Sequence, residues 1–307
     1  MLLCDEYLTP KSLSDAFDMI EAHRGRYRLI AGATDLLPWA REGRAGDVHI
    51  PVLIDVARLP ELRDRIVDDK RVRFGAATSI QRFLDDAALG RVMPAMPRCA
   101  VWFADDQLRE SATIGGNIVN ASPAGDAIPP LFAHDAVIEL ASRQSGGRIV
   151  TRKLPIDEFI AGPGQTKLAE DEILTAIECE SLPGYGGSFE KVGHRRSLVI
   201  STVCIAALVK LDAAGRTCKD VRLAIGGIGP VPVRLHDVEQ FLTSGPLTAN
   251  RLEQAADMPV NLVRSRTRQD YRRDVVRGFM LRGLFNAAQR AGASADLLTP
   301  DMEAAYA

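Results

Sequence analysis

Cysteine is scarce in this chain. Cys4, Cys99, Cys179, Cys204 and Cys218 are odd in number and widely scattered over 307 residues. That pattern fits reduced thiols and argues against a disulfide framework, a paired Cys-x-x-Cys metal site or an iron–sulfur cluster ligated here. Histidine is equally sparse, with residues 23, 49, 134, 194 and 236 isolated from one another. There is no His-Glu-x-x-His zinc motif and no Gly-x-Ser-x-Gly nucleophile elbow; His134 is expected at a surface or as a helix cap. An excess of one charge is also missing. A formal net charge of -2 gives no reason to expect nucleic acid or an anionic membrane as partner. Long apolar runs are absent as well. The strongest, Val203 to Val209, is far too short to span a bilayer, and Met1-Leu-Leu-Cys-Asp-Glu lacks the basic flank of a signal peptide. A cytoplasmic location is the resulting expectation. Internal repeats and low-complexity segments are not found.

What the chain does have is 46% hydrophobic and 25% charged residues, the composition of an ordinary globular protein. Its length exceeds the size at which one core usually stops growing, so two or three units are expected. Small residues concentrate in Ser111-Ala-Thr-Ile-Gly-Gly-Asn-Ile-Val-Asn-Ala-Ser-Pro-Ala-Gly-Asp126, which reads as a binding loop. Thr113, Gly115, Gly116, Asn117 and Ser122 would offer unshielded N–H groups, hydroxyls and an amide to an anion such as a diphosphate. Asp126, a carboxylate, would instead accept from sugar hydroxyls or loop N–H groups. The glycines match neither the triphosphatase phosphate loop nor the Rossmann fingerprint. Upstream, the apolar run Tyr27-Arg-Leu-Ile-Ala31 breaks at Gly32-Ala33-Thr34-Asp35 and restarts as a helix, a junction that also suits a phosphate. Two such loops point to a dinucleotide.

Ala31-Gly-Ala-Thr-Asp-Leu-Leu37 and Thr113-Ile-Gly-Gly-Asn-Ile-Val-Asn-Ala-Ser-Pro-Ala-Gly-Asp126 together resemble the FAD-diphosphate loops of the flavoprotein (medium) subunit of molybdenum hydroxylases. That family includes bacterial xanthine, carbon monoxide, nicotinate and aldehyde dehydrogenases. The resemblance covers nearly the whole chain. It implies an α+β fold: a vanillyl-alcohol-oxidase (PCMH)-type FAD domain over 1–181, with subdomains of about 1–57 and 58–181, then a smaller α+β domain of antiparallel sheet and helices over 188–292 and a tail over 293–307. It also implies FAD contacts from Leu29, Ile30, Ala31, Gly32, Ala33, Thr34, Asp35, Leu36, Phe103, Thr113, Ile114, Gly115, Gly116, Asn117, Asp126, the backbone of Leu174, and Lys191. Without the family, Phe103 reads as ordinary core and Lys191 as a solvated lysine. Where relatives have Gly-Gly in the first loop this chain has Gly32-Ala33, so Ala33 is expected to avoid positive φ. Ser197-Leu198 replaces acidic residues of relatives, which removes an expected carboxylate near the flavin edge. The cysteine-bearing insertion of the benzoyl-CoA-reducing branch is absent between Asp126 and Pro155.

Along the chain, Ser12 is expected to cap a helix to about His23, and strands are expected at Arg28–Ala31, Val52–Asp55 and Val72–Ala76. A helix around Ile80, Phe83 and Leu84 follows, and a single helical stretch from Pro94 to Leu108 leads into the central loop. A hairpin turns at Ser145–Gly147, and Glu172–Glu180 alternates as a strand. The breaker cluster Leu182-Pro-Gly-Tyr-Gly-Gly187 marks a boundary. Beyond it, strands are read at 189–193, 203–211 and 221–225, and helices at 235–242, 249–256 and 268–291. Arg264, Arg266, Arg268, Arg272 and Arg273 read as a solvated basic face, and the tail after Ala293 as disordered.

The function so implied is electron transfer through FAD. Molybdopterin chemistry would sit on a large subunit and [2Fe-2S] clusters on a small one, with a dimer of heterotrimers expected, no metal on this chain and no catalytic residue assigned. The organic substrate and the acceptor, whether NAD, oxygen, a quinone or a cytochrome, stay open. The alternative is a self-contained flavoenzyme of the vanillyl-alcohol-oxidase or enolpyruvyl-reductase type, for which no proton donor stands out; a nucleotide-binding scaffold is a third class.

Overall fold

The computed structural model describes residues 1–195, 198–264 and 267–294. Arg196, Ser197, Arg266 and the tail beyond 294 therefore lie outside the described residues. The chain begins with a β-α-β unit. Ser12 accepts from the Asp15 N–H at 3.1 Å and starts the helix Leu13–Ala22, whose Ala16, Phe17 and Ile20 are buried. Strands Glu6–Leu8 and Tyr27–Ile30 both pair in parallel with the central strand Val52–Asp55. Parallel pairing places the carboxyl end of Tyr27–Ile30, and hence the turn that follows, at the same end of the sheet as Asp55.

A second sheet is antiparallel throughout, in the order Arg65–Val67, Arg71–Gly75, Glu172–Glu180, Val137–Arg143, Ile149–Pro155. Its middle strand is buried along most of its length. Between Arg71–Gly75 and Val137–Arg143 the chain makes six short helices, among them Met96–Trp102, Asp106–Ser111, Ile114–Asn120 and Ile128–Ala133. Of these, Ile114–Asn120 packs on the second sheet, and Met96–Trp102 and Ile128–Ala133 pack on the third. The continuous stretch expected from Pro94 to Leu108 is thus two helices. The break falls at Phe103 and Ala104, where Ala104 turns to φ 45° without any glycine or proline to signal it.

The third sheet, Gly186–Val192, Val203–Leu211, Cys218–Gly226 and Val233–Arg234, is also antiparallel. Strand 203–211 divides its side chains by the period of two. Cys204, Ala206 and Leu208 join the core shared with the first two sheets, whereas Val203, Ile205, Ala207 and Val209 join a second core with Leu252, Val276, Met280 and Leu284 of the C-terminal helices. The long helix Gln269–Arg290 packs on this sheet so closely that a Cβ on Gly186 would meet the Ala287 carbonyl, and the start of the helix Met96–Trp102 lies so close that one on Gly187 would sit 2.6 Å from the Ala95 nitrogen. Those two glycines, expected as part of a linker, belong to the strand. Of the arginine cluster, Arg264 and Arg268 are exposed as expected, whereas Arg272 is partly buried and donates to the carbonyls of Thr202 and Gly227, the latter at 2.6 Å. Among the described residues no helix is long and apolar enough to cross a membrane.

Candidate functional site

Two grooves meet at Ala31, Gly32 and Thr113. One, of about 280 Å³, is lined by 28–36, Trp39, Arg44, Phe103, Gly116, Asn117, Asn120 and Gly164. The other, of about 700 Å³, is polar and runs past Asp55, Arg58, Arg63, Thr78, Ser79 and Glu110. Together they form a cleft whose two parts share the place where the first loop touches the second. A Cβ on Gly32 would fall inside the Ser111 carbonyl, so only glycine permits this approach.

The first loop leaves the parallel sheet and enters the helix Leu36–Arg41. Ala33 stands at φ 52°, contrary to the expectation that alanine would avoid this region. The cost of its Cβ there is roughly 1 kcal/mol, and a left-handed residue in such a turn is the conformation from which concave anion-binding backbone is built. Among the described residues, the N–H groups of Gly32, Ala33, Thr34 and Asp35 donate to no other group. Asp35 joins this loop to the next by accepting from Asn120 Nδ2 at 3.2 Å, and burial raises its carboxyl above the usual aspartate value.

The second stretch differs from expectation. Its glycine pair opens the helix Ile114–Asn120, with Thr113 as N-cap. The N–H groups expected to face an anion are already used: Ile114 donates to Thr78 O, Gly115 to Ala76 O, Gly116 to Thr113 Oγ1 and Asn117 to Thr113 O, at 2.9 to 3.1 Å. Pairing with the Ser79 bridge region and the cap consumes the donors that a helix start would otherwise leave free. What this stretch offers the groove is the Asn117 side chain, whose Oδ1 is buried without a hydrogen-bond partner among the described residues. Ser122 is turned to its own loop and accepts from Ala124 N.

Asp126 and Lys191 line neither groove. They form a buried ion pair, Lys191 Nζ to Asp126 Oδ2 at 2.6 Å, and Ser201 donates to Asp126 Oδ1 at 2.5 Å. Burial pushes the Asp126 carboxyl up, opposed by the ammonium and the hydroxyl. The solvated-lysine reading fails, because the Lys191 side chain is 4% exposed. Both Asp126 carboxylate oxygens are thus engaged within the chain, Oδ2 by Lys191 and Oδ1 by Ser201. Leu174 is a buried core residue beside a bulge in its strand and also lines neither groove. Phe103 does line the smaller groove, half-buried, with its carbonyl held by Arg109 Nη1 at 3.0 Å.

Sequence reasoning missed Arg109, Trp39, Arg28 and Arg44. Arg44 lies over the Trp39 ring at 4.1 Å, and both Arg28 and Arg44 pair with the buried Asp47, which places positive charge at the groove rim. The only local signal was the basic and aromatic character of 24–44, which resembles any amphipathic surface. His134 caps the helix Ile128–Ala133 as expected but is fully buried, with Nδ1 3.2 Å from Glu180 O.

Comparison with known proteins adds the following. Residues 3–179 match the model of the FAD binding domain in molybdopterin dehydrogenase, and residues 188–287 that of the CO dehydrogenase flavoprotein C-terminal domain. The chain is 32% identical over 250 residues to the xanthine dehydrogenase FAD-binding subunit of Escherichia coli O157:H7, covering 80% of this chain and 82% of that one. It is 27% identical over 289 residues to the nicotinate dehydrogenase FAD-subunit of Eubacterium barkeri, covering 89% and 92%. In structure it is similar to a chain of carbon monoxide dehydrogenase from Hydrogenophaga pseudoflava, with a TM-score of 0.84 at 26% identity over 94% of this chain and 99% of that chain.

Proposed function

Since the chain belongs to the family of FAD-binding medium subunits of molybdenum hydroxylases, we propose that it carries FAD in the cleft and passes electrons from a partner's [2Fe-2S] clusters to an external acceptor. The observation that carries this reading is the seam between the two grooves. There, Gly32–Asp35, whose four N–H groups are without partners among the described residues, line the same cleft as Asn117 with its orphaned Oδ1. Backbone N–H groups in a concave turn suit a diphosphate, and a buried amide without a partner costs about 1–3 kcal/mol until a ligand satisfies it.

The residues then divide the work. Residues 32–35 hold the diphosphate; Thr113 fixes the start of its helix, and Gly116 leaves the approach open. Phe103 forms an aromatic wall, and Leu29, Ile30, Ala31, Leu36 and Ile114 shape the apolar parts of the cleft and its support. Arg28 and Arg44 add positive potential at the rim. Asp126 and Lys191 support the site from behind. FAD supplies the redox chemistry, accepting and releasing electrons one or two at a time, and the protein supplies binding, orientation and tuning. The domain division at 1–181 and 188–292 is part of the same proposal, and the two cores described above support it. A large molybdopterin subunit and a small iron–sulfur subunit complete the complex, arranged as a dimer of heterotrimers; the names of the relatives, which are themselves dehydrogenase subunits, support the multisubunit part of this reading. The test is titration of the flavin-free chain with FAD, followed by fluorescence quenching. Saturable one-to-one binding supports the proposal, and absence of binding to a folded chain removes it.

A further inference from the structure

The turn Trp102–Phe103–Ala104 is held by two buried cations from different parts of the chain. The helix Met96–Trp102 ends there, at the negative end of its dipole; the Phe103 N–H meets Ala100 O, and side chains meet the carbonyls that follow. Lys191 Nζ donates to Trp102 O at 3.2 Å, and Arg109 Nη1 donates to Phe103 O at 3.0 Å. The side chains of these two donors are 4% and 11% exposed. Each is itself held. Arg109 Nε donates to Gln81 Oε1 at 3.0 Å and its other nitrogen pairs with Asp106. Lys191 is fixed by Asp126, which is fixed by Ser201.

Two adjacent carbonyls gripped by two cations leave the turn little freedom, and Ala104 at φ 45° is a conformation that needs such support. We propose that Arg109 and Lys191 are positioning residues that clamp this turn and so set Phe103 as a fixed wall of the cleft. Lys191 belongs to the strand Gly186–Val192, so the clamp ties the C-terminal sheet to the cleft. The part played toward FAD rests on the function proposed above, but the clamp on the turn does not.

The test uses the whole chain and two readouts. With Trp39→Phe, Trp102 is the one remaining tryptophan, and its fluorescence anisotropy decay reports motion of the turn without any ligand. The second readout is the FAD dissociation constant. Variants are Arg109→Gln, Lys191→Met, and Lys191→Met with Asp126→Asn, which removes both charges together in case a lone buried carboxylate unfolds the chain. Each should add a fast component to the Trp102 decay and weaken FAD about tenfold, within the range of coupled contacts. In a Phe103→Leu background the same changes should alter FAD affinity by less than about twofold, because their effect runs through that ring. Folded variants with unchanged Trp102 decay overturn the clamp. Equal losses of affinity with and without Phe103 overturn positioning through the ring. A wild-type chain that binds no FAD overturns the flavin reading alone, and the Trp102 readout still decides the clamp.

Discussion

Gly115 and Gly116 are neighbours with different constraints, and the difference makes a prediction at single-residue resolution. A Cβ on Gly115 would lie 2.7 Å from both Cβ and O of Ala76, part of a well-packed strand end, whereas one on Gly116 would meet only Thr113 Oγ1 at 2.9 Å. Gly115→Ala should therefore lower the melting temperature. Gly116→Val should leave a folded chain that loses the Thr113 cap, at about 1 kcal/mol, and most of its FAD affinity because the side chain occupies the cleft. Thermal melts and FAD titration of the two variants check this. A Gly116→Val chain with full FAD affinity would show that the cleft wall is elsewhere. Residue-scale legibility was mixed for physical reasons. The loops announced themselves through small residues, yet Ala33 in the left-handed region could not be read, because a non-glycine there is held by tertiary contacts that local sequence does not encode. Arg109 looked like any helix-surface arginine, since its burial depends on Gln81 and Phe103, distant in sequence or set by the turn.

At the scale of elements, the helix Ile128–Ala133 carries a pH-sensitive joint. His134 at its C-terminal end is fully buried, and burial pushes its imidazole down to about 4, with the nearby Arg222 and Arg234 acting in the same direction and the Glu180 carbonyl against it. In the unfolded chain the ring binds a proton near pH 6.5. Its contribution is thus complete above pH 6.5 and is lost as pH falls from 6.5 toward 4, by up to about 3 kcal/mol. Urea unfolding of the wild type and His134→Gln at pH 7 and pH 4.5 measures it: the wild type should lose more stability on acidification than the variant. Parallel pH dependence would remove His134 as the cause. Elements with strong periodicity were the readable ones. Ser12 and the spacing of Leu13, Ala16, Phe17 and Ile20 marked the first helix, and the unbroken apolar run 203–209 marked a strand buried on both faces. The Pro94–Leu108 stretch was misread as continuous because its break is made by the two clamped carbonyls and not by a breaker residue.

For the whole molecule, the proposed cofactor sits in a cleft lined by residues within 28–120 and by Gly164, and the two cores share strand 203–211, so ligand binding should stabilise the chain as a unit. FAD at 100 times its dissociation constant should add about 2.7 kcal/mol, and the holoprotein should melt higher than the apoprotein; equal melting temperatures at saturating FAD would count against the dinucleotide site. The central claim is that this chain handles electrons and leaves substrate oxidation to a partner. Among the described residues no group of three or more metal-ligating side chains is present, so the claim must be tested on the chain itself. The direct measurement is anaerobic stopped-flow absorbance of the purified, FAD-loaded chain, shown free of molybdenum and iron, mixed in separate runs with dithionite and with purines, aldehydes or N-heterocycles. The account predicts that dithionite bleaches the flavin, that an artificial dye restores its yellow form, and that none of the organic compounds reduces it. Reduction of the flavin by an organic substrate in that preparation would contradict the account and identify a self-contained flavoenzyme.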